Sequence, residues 1–204
     1  MVAPDKHTQA AESPMEAIVL AAGFSVRMGK SKALLKIANS ETFVERCVRV
    51  FLQAGCRQVI VVANPRDKEL MQQFCFGNRV TVVVNQHPER GRFSSVICGM
   101  THVSETSPVF IHNVDNPLIN LEIVRHISEN FKSDYTVPVF QTKGGHPVLL
   151  GMEVVRAIQQ EKNDQQSLKT YLSSWKKHTL VVPFPEVLCN LNSVEDVIGY
   201  FGKV

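Results

Sequence analysis

Short, continuous apolar runs recur along the chain, and stretches of helical period separate them. The first run, residues 15–22 (MEAIVLAA), is followed by 58–64 (QVIVVAN), 79–85 (RVTVVVN), 108–115 (PVFIHNVD) and 134–140 (DYTVPVF). Runs of this length without polar alternation suit strands buried on both faces, as in a parallel sheet. Between them, residues 41–55 (ETFVERCVRVFLQAG) place Phe43, Val44, Cys47, Val48, Phe51 and Leu52 on one helical face. Ser40 stands where a cap is needed and Gly55 where the helix should stop. Further helical patterns begin near Pro65, Phe93, Leu121, Met152, Gln165 and Val194. Strands alternating with helices predict an α/β domain with a mainly parallel sheet, whose ligands gather at the carboxyl ends of the strands. Two loops fall there: 20–35 (LAAGFSVRMGKSKALL) after the first run, and the NVDNP segment after VFIH.

The first loop invites comparison with the phosphate-binding pattern G-x-x-x-x-G-K-[ST]. Gly23 and Gly29 are separated by five residues instead of four, and Lys30-Ser31 lead into KALLKIANS, which breaks at Ala38-Asn39-Ser40 instead of continuing as a long helix. Both features argue against a P-loop. The same residues serve phosphate in another way: small Ala21, Ala22 and Gly23 let backbone amides come close to a triphosphate, with Arg27 and Lys32 supplying positive charge. A solvated surface loop is the plain alternative.

Composition narrows the class. At 204 residues the chain suits one domain, 15–204, able to bury about 70% of its unfolded surface. Residues 1–14 (MVAPDKHTQAAESP) read as a disordered leader without the apolar core of a signal peptide. A hydrophobic share of 44% and a charged share of 20% are ordinary for a globular protein, and a net charge of +3 gives no reason to expect nucleic acid or a membrane as partner. Five scattered cysteines (Cys47, Cys56, Cys75, Cys98 and Cys189) with no C-x-x-C pair suggest reduced thiols and a cytoplasmic location.

The loop LAAGFSVRMGKSKALL resembles the signature L-A-[AG]-G-x-S-x-R-M-G-x-x-K-x-L-L of the MobA-like nucleotidyltransferases, in particular the molybdenum cofactor cytidylyltransferases among them. Other segments match in order from Met15 onward: NQHPERGRFSSVICGM, NVDNPLI, GGHPVLL and NLNSVEDV. The resemblance implies a three-layer α/β sandwich of Rossmann-like nucleotidyltransferase type, the fold of nucleotide-diphospho-sugar transferases. It also implies transfer of CMP from CTP to the phosphate of molybdopterin, with release of pyrophosphate and with Mg²⁺ as cofactor. Because L-A-A-G accompanies cytidylyl transfer in that family and L-A-G-G guanylyl transfer, Ala22 favours CTP over GTP.

Carried onto this chain, the resemblance makes Arg27 and Lys32 the catalytic cations, with Lys30 and Lys36 as solvated neighbours. Ala21, Ala22, Gly23, Asn85, Gly91, Ser94 and Ser95 become nucleotide-binding residues, and Asp115 the Mg²⁺ ligand, completed by Asn192 or Asn190. Gly145, His146 and Asp164 fall on the acceptor side. Structural roles compete for several: a turn at Asp115, a helix cap at Asn192, Ser193, Ser94 or Ser95, and a purely structural His146. Two departures stand out. Asn116 occupies a place that is usually Gln, and Gln166 and Leu168 replace the Gly and Arg of a G-D-x-G-x-R segment. Those last two open the alternatives of a sugar or polyol phosphate acceptor, or of a non-catalytic module delivering nucleotide or cofactor to a molybdoenzyme.

Overall fold

Both faces of the central sheet are covered, which is why its strands read as unbroken apolar runs. The structure, a computed structural model, describes residues 15–24, 31–37, 41–74 and 77–202. The expected leader, Arg27, Lys30, Ser40 and Cys75 lie outside these residues. The five anticipated strands are present as β1 (Glu16–Ala21), β2 (Val59–Ala63), β3 (Val80–Val84), β4 (Val109–Asn113) and β5 (Tyr135–Phe140). Three more complete the described sheet: β6 (Lys143–Gly144), β7 (Val148–Leu150) and β8 (Lys177–Val181). The strand order is β3-β2-β1-β4-β7-β5-β6, with β8 paired to β5.

β1 runs parallel to β2 and β4, β2 to β3, and β5 to β8, whereas β7 lies antiparallel between β4 and β5. The sheet is thus parallel at its centre and mixed at one side. Alternation along β1 divides the core. Ala17, Val19 and Ala21 pack with α1 (Phe43–Gln53) and α4 (Leu121–Glu129), while Ile18 and Leu20 pack with α3 (Arg92–Met100) and α5 (Met152–Gln159). The remaining helices are α2 (Lys68–Gln72), α6 (Leu168–Leu172) and α7 (Val194–Phe201). Phe43, Phe51, Phe93 and Phe110 are fully buried between these layers, each contributing about 1.5–3 kcal/mol relative to exposure.

Helix ends follow local chemistry. α1 is capped by Thr42, whose hydroxyl accepts from the Glu45 amide while the Glu45 carboxylate accepts from the Thr42 amide. That reciprocal box places the cap later than the Ser40 that spacing suggests. Gly55, with φ of +96°, ends the following turn as expected. Ser193 caps α7 through a second box with Asp196, leaving Asn192 for another role. No helix among the described residues is long and apolar enough to cross a membrane.

Candidate functional site

β1 sends its chain to β2 on one side and has β4 on the other, so the carboxyl ends of β1 and β4 flank a switch point where a crevice opens. A cavity of about 320 Å³ fills it. Leu20, Ala21, Ala22 and Gly23 from the end of β1 form one wall, Asn113, Val114 and Asp115 from the end of β4 another, and Lys32, Gly91, Arg92 and Ser95 close it. A second cavity of about 780 Å³ shares Gly91 and Arg92 with the first. It is lined by Tyr135, Gly145, His146, Gln165, Gln166, Leu168, Lys169 and Lys177, among others.

Lys32 opens a short 3₁₀ turn, Lys32–Leu34, that takes the place of a P-loop helix. Its ammonium donates to Asn192 Oδ1 at 2.8 Å and lies 3.6 Å from Asp115 Oδ2. Three side chains 160 positions apart in sequence at the extreme therefore meet at one point. A backbone bond fixes this meeting: the Leu191 amide donates to the Asp115 carbonyl at 2.7 Å. Asn192, and not Asn190, is thereby brought to Asp115, and the Asn190 carbonyl instead accepts from the Asn192 side-chain amide. Asp115 Oδ1 is buried with no hydrogen-bond partner among the described residues.

The loop after β3 is braced from within. Asn85 donates from one amide to Ser94 Oγ at 2.8 Å and to Ser95 Oγ at 3.0 Å, while its carbonyl oxygen accepts from the His87 amide. The Ser94 hydroxyl donates to the Gly91 carbonyl at 2.7 Å. Asn85 and Ser94, expected to touch nucleotide, are thus absent from the cavity wall and hold Gly91 and Ser95, which do line it. The cap position of α3 is Gly91, with no side-chain cap bond, so neither serine caps this helix. Its φ of +106° is one that a side chain strongly disfavours.

On the acceptor side the placement is uneven. His146 is half-buried, and burial, aided by Arg92, holds its imidazole below the usual range and therefore neutral. One ring nitrogen bonds at the Ile111 backbone, and Nδ1 has no partner among the described residues. A neutral ring that donates at Ile111 leaves Nδ1 as an acceptor. Gly145 lines the larger cavity, but its smallness has a second cause: a Cβ there would sit 2.3 Å from the Val187 carbonyl oxygen. Asp164 is not in the wall. Its carboxylate pairs with Arg90 at 3.1 Å, and it is Arg90 that faces the cavity.

Several residues went unnoticed in the sequence. His112, fully buried in β4, places Nε2 3.0 Å from the Asn116 carbonyl, and burial pushes its pKa down to about 3. Arg92, Lys169 and Lys177 add charge to the larger cavity. The available signal was the pair of polar residues, His112-Asn113, closing an otherwise apolar run, since buried polar groups seldom stand without a partner or a use.

The parallel-centred sheet has at its switch point a cavity with close backbone, a lysine and a half-buried carboxylate, and the comparisons make the chain an α/β nucleotidyltransferase. The chain belongs to the MobA-like NTP transferase family, whose domain matches residues 17–179. It is 24% identical over 187 residues to the molybdenum cofactor cytidylyltransferase of Escherichia coli strain K12, covering 91% of this chain and 95% of that protein. Among solved structures, Rv0371c of Mycobacterium tuberculosis H37Rv superposes with a TM-score of 0.76 at 21% identity, over 94% of this chain and 100% of its own. A nucleotidyl transferase from Methanothermobacter gives 0.75 at 22% identity, over 93% and 96%.

Proposed function

We propose that the chain transfers CMP from CTP to the phosphate of a molybdopterin-type acceptor with release of pyrophosphate, using Mg²⁺. The observation that carries this reading is the convergence of Lys32, Asp115 and Asn192, the first two in the wall of the smaller cavity, which shares Gly91 and Arg92 with the basic, larger one. The smaller cavity takes the nucleotide, its triphosphate against Ala21, Ala22 and Gly23, its far end toward Gly91 and Ser95. The larger takes the acceptor.

Mg²⁺ prefers a few protein oxygens together with phosphates and water. The unsatisfied Oδ1 of Asp115 and the nearby Oδ1 of Asn192 fit that preference, and these two residues would hold the ion. When bound it supplies neutralisation of phosphate charge. The protein's own contribution is positional and electrostatic: an acceptor phosphate oxygen attacks the α-phosphorus, pyrophosphate leaves, and no covalent enzyme intermediate is needed. Lys32 and Arg27 hold the phosphate oxygens on which charge accumulates. Arg90, Arg92, Lys169 and Lys177 draw an anionic acceptor, and His146 lines the cavity that takes it.

A second reading, a different phosphorylated acceptor such as a sugar or polyol phosphate, is favoured by Gln166 and Leu168. Both line the larger cavity in place of the Gly and Arg of the related segment. A thermal-shift panel of CTP, GTP, ATP and UTP, each with Mg²⁺ or chelator, tests the nucleotide half, because a ligand of the folded state raises its stability by mass action. CTP with Mg²⁺ is expected to stabilise most. No stabilisation by any nucleotide would reject the reading in favour of the non-catalytic delivery module.

A further inference from the structure

The carbonyl oxygen of Val187, in the 3₁₀ turn Pro185–Leu188, collects bonds from two parts of the site. The backbone amide of His146 donates to it at 2.9 Å, and the side-chain amide of Asn116 at 3.1 Å. Gly145 lies against the same oxygen so closely that no side chain fits. A few residues further on, Leu191 bonds the Asp115 carbonyl. One short stretch of chain, 187–191, therefore ties residues 145–146 to residues 115–116.

Asn116 is itself held firmly. Its backbone amide donates to the Asn113 carbonyl at 3.0 Å, its carbonyl meets His112 Nε2 at 3.0 Å, and Arg46 of α1 donates to the next carbonyl, Pro117, at 2.6 Å. These bonds fix where its side chain points. Asn116 is 1% exposed, and its Oδ1 has no partner among the described residues. A residue needed only to fill space would be apolar here, since an unsatisfied buried oxygen costs about 1–3 kcal/mol. What the amide supplies in return is the bond to Val187.

We propose that Asn116 is a positioning residue, acting through the Val187 carbonyl to hold residues 145–147 at a fixed place relative to Asp115. It touches neither nucleotide nor acceptor. Its effect is to set the acceptor-binding His146 against the carboxylate at which the transfer takes place. The inference rests on the acceptor role given to His146 above, but the joint itself can be tested without any acceptor.

Asn116→Leu keeps the branched outline of the side chain, though bulkier, and removes the donor, and Asn116→Ala, which adds no bulk, serves as the second variant. Hydrogen exchange of the His146 amide, measured on the full chain, is expected to speed up about tenfold in either variant, with exchange in β1 and β2 unchanged. With CTP and molybdopterin as probes, the KM for molybdopterin should rise about tenfold while CTP affinity stays within about twofold, since only the acceptor segment is loosened. Wild-type exchange at His146 in a folded variant overturns the proposal. So does loss of protection throughout the molecule in both variants, which would make Asn116 a general packing residue. If His146 exchange rises locally but wild-type protein transfers CMP to no acceptor, the positioning stands and the proposed function falls.

Discussion

Asp115→Ala is expected to lose metal-dependent transfer by about a thousandfold while keeping its fold, because the charge held at the reacting phosphates is a large part of such catalysis. The side chain makes little contribution to the architecture. Its Oδ1 has no partner among the described residues and its Oδ2 meets the half-buried Lys32, whereas the bond that shapes the loop is donated by the Leu191 amide to its backbone carbonyl. Alanine retains that carbonyl. The melting temperature should therefore change little as turnover collapses, and steady-state kinetics beside a melting curve will show whether the two separate. A folded Asp115→Ala protein of near-normal activity would mean that the carboxylate only shapes the turn before Pro117.

Lys32→Ala is expected to reduce kcat/KM about a hundredfold, from the loss of one well-placed cation on a developing anion. The structure gives a reason for the placement. The 3₁₀ turn presents Lys32 into the smaller cavity, in contact with Asp115 and Asn192, so it is held beside the proposed triphosphate site before any substrate arrives. Lys30, outside the described residues, provides the comparison, and its replacement should cost much less. Equal losses at the two lysines would show that charge near the loop matters but position does not.

How much of this was legible in advance depends on the kind of signal. The parallel centre of the sheet was, because strands buried on both faces leave continuous apolar runs such as AIVLA and VIVVA. β6, β7 and β8 were not. β6 and β7 are too short to show a period, and β8, KHTLV, is half exposed with lysine and histidine leading. That the loops carrying Lys32 and Asp115 lie at one end of the sheet followed from reading both at the carboxyl ends of strands. Their enclosure by Asn192 came from the family resemblance, since nothing local announces a contact across 160 positions.

Polar residues were the harder part. Asn85, Ser94 and Asp164 have the chemistry of ligand-binding groups, yet each is occupied by a neighbour: Asn85 by two serine hydroxyls, Ser94 by the Gly91 carbonyl, Asp164 by Arg90. A sequence shows what a side chain is able to bind, whereas its bonds within the protein depend on which neighbours the fold brings to it. Asn116 illustrates the reverse case. Its departure from Gln carried no role in the sequence, and the fold gives its amide a specific partner in Val187.

The most direct test of the account is to incubate the protein with CTP, Mg²⁺ and molybdopterin, measuring pyrophosphate release and the mass of the product together. One pyrophosphate is expected for each acceptor that gains a CMP unit, with both signals dependent on metal. Release of orthophosphate instead, or no product with any nucleotide under these conditions, would contradict it.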